Sequence, residues 1–228
     1  DSFQFIDGFG AAVPMLDLSP WTQAQTKQLV GLSNNDLGLS ILRTEISPDP
    51  DMWGKYAEML AFADDYSPDL QIMGTPFSPP AEMKSNKSTT NGGRLLEEFY
   101  PHYAAHLNDF VSTMKKNDVK IDVISVQNRP DESGSYDSCE WNGAELSNFV
   151  QKNAYAIENT KVMASESTRF DRAYTDPLLN SDAALAQIEI VGGQLYNAEA
   201  SGFFDYYPLA VEKGKQVWMT EWFTNNPH

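Results

Sequence analysis

Short apolar runs alternate along the chain with longer amphipathic stretches. The apolar runs lie at about residues 3–6, 39–45, 70–74, 123–126, 161–164, 188–191 and 216–221. Helical periodicity occupies the intervals, at about residues 20–32, 52–66, 98–117, 145–159, 182–187 and 208–213. Strands that alternate with helices are typical of a parallel sheet covered by helices. The pattern therefore predicts an α/β fold with seven strands.

Every predicted strand ends in polar residues, glycine or a charge. The fourth apolar run is followed by Asn128, Arg129, Pro130 and Asp131. In parallel α/β folds the functional site forms at the carboxyl ends of the strands. A residue before proline is biased towards extended backbone, so we expect Pro130 to hold Arg129 in that conformation. A solvated loop without a functional role is the alternative interpretation of this polar turn.

Two architectures fit seven parallel strands. A (β/α)8 barrel of the TIM type with one strand missing is favoured, because each strand ends in residues suited to a barrel mouth. A doubly wound sheet remains possible, although no G-x-G-x-x-G motif follows the first predicted strand. At 228 residues the chain is long enough for one sizeable core. We therefore predict a single, incomplete barrel domain over residues 1–228.

Composition narrows the range of partners. The chain has 16 basic and 32 acidic residues, a formal net charge of −16 and a pI near 4.4. Such a surface repels nucleic acid and anionic membranes, so we expect neither as a partner. Hydrophobic residues make up 41% of the chain and aromatic residues 12%, which excludes a disordered chain and supplies rings for sugar stacking. The one cysteine, Cys139, cannot form an internal disulfide.

Targeting and membrane segments are not evident in the sequence. No stretch is long and apolar enough to span a bilayer. No signal peptide is recognisable, and a mature or trimmed secreted protein would have the same appearance.

Residues of catalytic type close two distant strands. Glu221 ends the last predicted strand, and Arg129 follows the fourth, which lies on the opposite side of a barrel mouth. Glycoside hydrolysis uses two carboxylates across such a mouth, and retaining enzymes hold them about 5–5.5 Å apart. Here a guanidinium stands in the second position. An ion-paired strand end is the structural alternative for Glu221.

Metal and thiol chemistry are less well supported. His102 and His106 are four residues apart on one predicted helix face, but the glutamate of an H-E-x-x-H motif is missing. We interpret them as a partly buried helix surface, and we predict no metal and no cofactor. Cys139 has no histidine near it in sequence, so a nucleophilic role is not expected.

The chain resembles glycoside hydrolase family 30, particularly the bacterial glucuronoxylanase and endo-β-1,4-xylanase branch. The resemblance rests on residues 6–10 (IDGFG), 40–43 (SILR), 76–80 (PFSPP), 103–111 (YAAHLNDFV), 124–128 (ISVQN) and 218–221 (WMTE). It implies an eight-stranded barrel with a β-sandwich attached. On that comparison a chain that stops at His228 lacks the eighth strand and the sandwich.

The resemblance also implies roles for individual residues. Glu221 matches the nucleophile, Asn128 the neighbouring residue that hydrogen-bonds the substrate, and Arg43 the arginine that supports the nucleophile. The residues that correspond to the walls of a sugar-binding groove are Trp53, Phe77, Trp141 and Tyr196.

Three departures from the family pattern cluster at the mouth. Arg129 occupies the position of the general acid/base glutamate, Gln194 stands where histidine is usual, and Trp222 is bulkier than expected. Arginine does not give up its proton in proteins, so Arg129 cannot act as acid or base. The loss costs about 10²–10⁴ in rate. We expect Arg129 to pair with Glu221.

Three functions remain open at this stage. The first is a xylanase-like barrel that acts weakly or not at all on β-1,4-xylan, unless Asp131, Glu132 or Glu166 replaces the lost acid. The second is a barrel that binds xylan or xylooligosaccharides without cleaving them. The third is a deliberately altered site for another ligand or reaction. We expect an extracellular protein that pairs with a complementary fragment or with itself, because an open barrel exposes strand edges.

Overall fold

The computed structural model describes residues 5–14, 19–196 and 207–223. Seven parallel strands form one sheet whose spatial order follows the order in the chain. The strands are β1 (Gly10–Ala12), β2 (Ile41–Ile46), β3 (Gln71–Pro76), β4 (Val123–Ser125), β5 (Lys161–Ser167), β6 (Ile190–Gln194) and β7 (Gln216–Glu221). Consecutive order is that of a barrel wall, whereas a doubly wound sheet reverses its order at a switch point. The predicted TIM-barrel-like α/β fold is confirmed, and the doubly wound alternative is wrong.

Helices connect the strands in the described part of the chain. They are α1 (Gln23–Val30), α2 (Ala57–Tyr66), α3 (Tyr100–Lys116), α4 (Gly143–Asn153), α5 (Arg172–Leu179), α6 (Asp182–Leu185) and α7 (Pro208–Glu212). The predicted start of α1 at Ser19 and Pro20 is wrong, because Thr22 and Gln25 form a capping box that begins the helix later. None of the described helices is long and apolar enough to cross a membrane.

The first strand lies further along the chain than predicted. Residues 3 and 4 fall outside the described residues, and Phe5 and Ile6 are exposed rather than paired. The pairing segment is Gly10–Ala12, with Gly10 opposite Ile41. A Cβ atom on Gly10 would lie 2.4 Å from the carbonyl oxygen of Ile41, so this approach requires glycine. Close packing of small residues, rather than an apolar run, therefore begins the sheet.

Alternation along the strands separates two apolar layers. Side chains on one face of the sheet pack together inside the curl: Ile41, Met73, Val123, Met163, Ile190 and Trp218. Residues on the other face, such as Leu42 and Ile124, pack against the helices in the main core. The residue that follows Ile41 on the inner face is Arg43, because side chains on one face recur every second residue. The inner apolar layer is thus the floor beneath a polar mouth.

Asp7 links the two ends of the sheet. It precedes β1, and its carboxylate accepts hydrogen bonds from Gln216 Nε2 and Trp218 Nε1 of β7, each at 2.8 Å. In the described residues β1 and β7 each pair with a strand on one side only. The side-chain bridge brings these two edge strands near each other, so the sheet curls around the inner layer.

Candidate active site

The side chains at the strand ends converge at the mouth of the curled sheet. Arg43 comes from β2, Asn128 and Arg129 follow β4, Gln194 ends β6 and Glu221 ends β7. The expectation that Arg129 and Glu221 face each other is confirmed, because Arg129 Nη2 lies 2.7 Å from Glu221 Oε1. The parallel sheet brings residues 92 positions apart in the chain into direct contact.

Glu221 is held by three donors. Arg43 Nη1 donates to Oε2 at 2.7 Å, while Arg129 Nη2 and the hydroxyl of Tyr196 donate to Oε1, each at 2.7 Å. Burial raises the pKa of Glu221, but Arg43, the Tyr196 hydroxyl and Arg129 together outweigh burial and leave the pKa below its ordinary value. The carboxylate is therefore ionised at neutral pH and 20% exposed at the mouth.

Arg43 lies beneath the mouth and is 4% exposed. Its Nη2 atom donates to Asn128 Oδ1 and to Glu166 Oε1, each at 2.9 Å. Its guanidinium also lies 5.6 Å from the ring centre of Phe77. A buried cation needs such partners, and here it orients Glu221 through its other terminal nitrogen.

Besides its contact with Glu221, Arg129 is held by Gln194 and Tyr196. Its Nε atom donates to Gln194 Oε1 at 2.8 Å, and its guanidinium lies 4.4 Å from the ring centre of Tyr196. Glu132 is further away, 3.7 Å from Nη1. The expectation of extended backbone is wrong, because φ of Arg129 is +44°. Left-handed backbone is costly for a residue with a side chain, and these contacts hold Arg129 there.

Gln194 completes a closed ring of side-chain hydrogen bonds. Its Oε1 accepts from Arg129, and its Nε2 donates to Asn128 Oδ1 at 2.7 Å. Asn128 Oδ1 also accepts from Arg43, which donates in turn to Glu221. The ring therefore runs through Arg43, Glu221, Arg129, Gln194 and Asn128. The sequence analysis named every member, but the bond between Gln194 and Arg129 is visible only in the fold.

Other carboxylates near the mouth are engaged or lie away from Glu221. Asp131 accepts from the backbone N–H and the hydroxyl of Thr168. Glu166 is fully buried, and its Oε1 atom accepts a hydrogen bond from Arg43. Its Oε2 atom has no hydrogen-bond partner among the described residues. Glu132 is 46% exposed beside Arg129. In the described residues, Asp131 and Glu166 are therefore held by Thr168 and Arg43, and Glu132 lies beside Arg129.

The aromatic candidates lie in two places, at the mouth of the sheet and in the core. Phe77 and Tyr196 are half-buried beside the two arginines, and Trp222 is 58% exposed just after Glu221. Trp141 is 3% exposed and stacks on Tyr100, so its placement in the core does not support a groove-lining role.

Trp53 lies away from the ring of hydrogen bonds. It is 6% exposed, and its indole N–H donates to the carbonyl of Ser47 at 2.8 Å. It borders a cavity of about 380 Å³ that shares no lining residue with that ring. Its proposed contact with sugar in the mouth is therefore not supported by this placement.

The weaker constellations are structural. His106 is 8% exposed and packs edge-on against Trp53, and burial lowers its pKa. Cys139 is fully buried, and burial raises its pKa to about 12. Within the described residues, no three of His, Cys, Asp and Glu converge as metal ligands.

Lys84 is a buried residue that the sequence analysis missed. It is fully buried, and its Nζ atom donates to Ser78 Oγ at 3.0 Å, to the Thr89 carbonyl at 3.2 Å and to the Ser138 carbonyl at 2.6 Å. These acceptors lie in the segments that follow β3 and β4. Lys84 thus joins the loop beside Phe77 to the loop that follows Arg129; a lysine in a polar run gives no local signal of burial.

The fold is similar to that of xylanases of glycoside hydrolase family 30. The chain is 36% identical to glucuronoxylanase XynC of Bacillus subtilis strain 168, over 98% of this chain and 52% of that protein. Among solved structures, the glycoside hydrolase family 30 subfamily 8 xylanase Xyn30A of Clostridium acetobutylicum is 32% identical with a TM-score of 0.86, over 98% of this chain and 57% of the other. A GH30 endoxylanase of Clostridium papyrosolvens C71 is 33% identical with a TM-score of 0.83, over 98% of this chain and 58% of the other.

No family model matches the chain. The likeness to xylanases of glycoside hydrolase family 30 nevertheless extends over nearly all of it, so the resemblance inferred from the motifs is confirmed. The chain spans about half the length of the curated relatives that it matches.

Proposed function

We propose that the barrel binds β-1,4-xylan and that Glu221 is the nucleophile of a retaining glycoside hydrolase site whose acid/base position is occupied by Arg129. The observation that carries the proposal is the 2.7 Å contact between Arg129 Nη2 and Glu221 Oε1. It puts a permanent cation beside the carboxylate, where a retaining hydrolase holds its second carboxyl group.

Glu221 retains the properties that a nucleophile needs. Its pKa is lowered, so it is ionised at neutral pH, and Arg43 fixes its orientation from below. In the first step, one carboxylate oxygen attacks the anomeric carbon, and the bond to the leaving oxygen breaks. The same contacts also spread the charge of Glu221, which reduces its nucleophilicity.

The leaving group receives no proton from Arg129. A guanidinium can donate a hydrogen bond to the leaving oxygen but does not transfer its proton. The alkoxide of an unactivated sugar is therefore a poor leaving group, and xylan hydrolysis is slowed by about 10²–10⁴. The expected activity on xylan is weak or absent, while an activated aryl xyloside needs no acid.

Two observations support xylan as the substrate: the names of the relatives and the aromatic side chains at the mouth. The relatives are a glucuronoxylanase and two xylanases by name. Phe77, Tyr196 and the exposed Trp222 supply flat apolar surfaces, on which neutral sugar rings stack. Because xylan lies outside cells, we propose an extracellular location, which detection of the chain in culture medium would test.

A xylan-binding barrel without turnover is the second candidate. The observation that favours it is the full engagement of Glu221, whose two oxygens together accept three hydrogen bonds. Saturable binding of xylooligosaccharides without covalent labelling of Glu221 would support this candidate. An absence of sugar binding would instead favour an altered site.

The open side of the sheet suits a further strand from a complementary fragment or a second copy. On β7, Val217 is 36% exposed and Met219 is 51% exposed, so an apolar face accompanies the edge. Exposed edges with apolar faces pair readily with other chains. We propose association through this edge; light scattering that shows a monomer at micromolar concentration would contradict it.

The test of the catalytic proposal compares Arg129→Glu and Arg129→Gln with the parent on glucuronoxylan and on dinitrophenyl β-xylobioside. Arg129→Glu should release reducing sugar from xylan at least about 10² faster than the parent, because it restores an acid. Arg129→Gln removes the cation without adding an acid and should leave xylan uncleaved. Equal inactivity of both folded variants on both substrates would contradict the proposal.

A further inference from the structure

The contacts of Arg129 change when Glu221 becomes a sugar ester. In the structure, Glu221 faces two cations, through Arg43 Nη1 and Arg129 Nη2, each at 2.7 Å. Ester formation removes the negative charge of the carboxylate. Arg43 keeps Glu166 at 2.9 Å, but the nearest other carboxylate to Arg129 is the exposed Glu132 at 3.7 Å.

Arg129 does not depend on Glu221 alone for its position. Gln194 is fully buried and accepts from Nε at 2.8 Å, and the ring of Tyr196 lies 4.4 Å from the guanidinium. These two contacts remain when Glu221 is esterified. The guanidinium is therefore held at the mouth, only 20% exposed, and the terminal nitrogen that contacts the carboxylate becomes available to another acceptor. A partly buried cation in this state favours an anion as its new partner.

Water is a poor acceptor at this site. To attack the sugar ester, water must lose a proton to a base, and Arg129 cannot accept one. Of the three candidate carboxylates, Asp131 accepts from Thr168, Glu166 accepts from Arg43, and Glu132 lies 3.7 Å from Arg129 Nη1. An oxyanion needs no base, because it already carries the charge that water would have to acquire.

We propose that Arg129 makes this barrel a sugar transferase that uses inorganic phosphate as acceptor and leaving group. The inference rests on the proposed role of Glu221 as nucleophile. A phosphate oxygen attacks the anomeric carbon, the bond between that carbon and the Glu221 oxygen breaks, and its electron pair returns to the carboxylate. The product is a sugar 1-phosphate of the original β configuration, and no proton is transferred.

The reverse direction uses the same groups. Glu221 attacks the anomeric carbon of a β-xylosyl phosphate, and the carbon–oxygen bond to phosphate breaks with its electrons on the departing dianion. Arg129 stabilises the charge that develops on this leaving group, which is the electrostatic role that a guanidinium performs at a phosphate. The substitution that disables proton transfer to a sugar leaving group thus suits one that leaves as an anion.

The experiment follows dinitrophenolate release from dinitrophenyl β-xylobioside by the parent chain. One arm adds sodium phosphate, a second adds sodium formate, and a third adds sodium chloride at equal ionic strength. Intact-mass spectrometry reports the sugar ester on Glu221, and phosphorus NMR reports any sugar phosphate. We expect phosphate to raise steady-state release by about tenfold or more over chloride, the range of a hydrogen bond to a charged group, and to yield a sugar phosphate.

Variants locate the effect at Arg129. Arg129→Gln should abolish the acceleration by phosphate, and Arg129→Lys should retain part of it, because a lysine ammonium also binds phosphate. Lys116→Gln removes an exposed positive charge at the end of α3 and should leave the acceleration unchanged. If a variant fails to fold, the comparison of phosphate, formate and chloride on the parent chain still tests the proposal.

The outcomes separate this inference from the proposed function. A burst of release with a mass-labelled Glu221 but no effect of phosphate overturns the oxyanion inference alone. Acceleration by formate without phosphate also overturns it, because the acceptor is then a small carboxylate and not phosphate. No burst and no labelled Glu221 removes the nucleophile role, and the inference falls with it.

Discussion

Arg129 and Gln194, from the ends of the fourth and sixth strands, are joined by a hydrogen bond of 2.8 Å between Nε and Oε1. The sequence analysis interprets both positions as departures from the family 30 pattern, and in the structure they contact each other. Gln194 also donates to Asn128 at 2.7 Å. The Gln194 amide therefore hydrogen-bonds Arg129 on one side and Asn128 on the other, so Arg129 and Gln194 belong to one connected network.

A double-mutant cycle on Arg129→Met and Gln194→Met should reveal this coupling. We expect an interaction free energy of about 1–2 kcal/mol in urea unfolding, because the side chains share a network. Gln194→Met combined with Lys116→Met is the control pair, which should be additive within about 0.5 kcal/mol. Additivity of Arg129→Met and Gln194→Met would show that the hydrogen bond does not contribute to stability.

Acid should weaken the contribution of Arg129 to stability. The pKa of Glu221 is lower when the chain is folded, so the stabilisation from its ionised form is present above the ordinary pKa of 4.5. It is lost as the pH falls through the folded pKa. The difference in unfolding free energy between the parent and Arg129→Gln should therefore be largest near neutral pH and shrink in acid. A difference that is independent of pH would contradict the ion pair.

Removal of the buried ammonium of Lys84 should destabilise the loops at the mouth. Lys84→Met keeps the apolar stem but leaves the carbonyls of Thr89 and Ser138 without their donor. We expect a loss of about 2–4 kcal/mol in unfolding free energy, the range for buried polar groups that lose their partners. Lys116→Met, on the exposed end of α3, should change it by less than about 0.5 kcal/mol.

Burial lowers the pKa of Lys84, which means that the charge on its ammonium lowers the free energy of unfolding at neutral pH. The penalty is relieved as the pH rises through the folded pKa towards 10.5. The cost of Lys84→Met measured near pH 7 should therefore be smaller than its three hydrogen bonds alone imply. No loss of stability in Lys84→Met would contradict the predicted contribution of these hydrogen bonds.

Asp7 should keep the two edge strands together. Asp7→Ala removes the acceptor for Gln216 and Trp218, and we expect it to lower the unfolding free energy by about 1–3 kcal/mol. The freed edges should also increase association, measured by light scattering over a range of concentrations. Asp65→Ala, on the exposed end of α2, is the control. Similar stability and association of Asp7→Ala and Asp65→Ala would contradict the bridge.

Sequence by itself determined the class of fold and most of the mouth. Short apolar runs separated by helical stretches predicted parallel strands, and the polar residues at the ends of these runs marked the site, as Arg129 and Glu221 show. Local signals failed where packing decided the outcome. The first strand uses Gly10–Ala12 instead of the apolar run before it, since only glycine fits against Ile41. Helix α5 contains Pro177, which hid it from helical periodicity.

Tertiary structure alone decided which chemistry-bearing side chains touch. The closed ring from Arg43 to Glu221, Arg129, Gln194 and Asn128 joins residues that no local pattern relates, because strand curvature and register set the distances between them. It also decided that Trp141 lies in the core. Sequence specifies which groups are available at the strand ends, whereas hydrogen-bond geometry, which fails beyond a few tenths of an ångström, is fixed only when the sheet closes around its apolar floor.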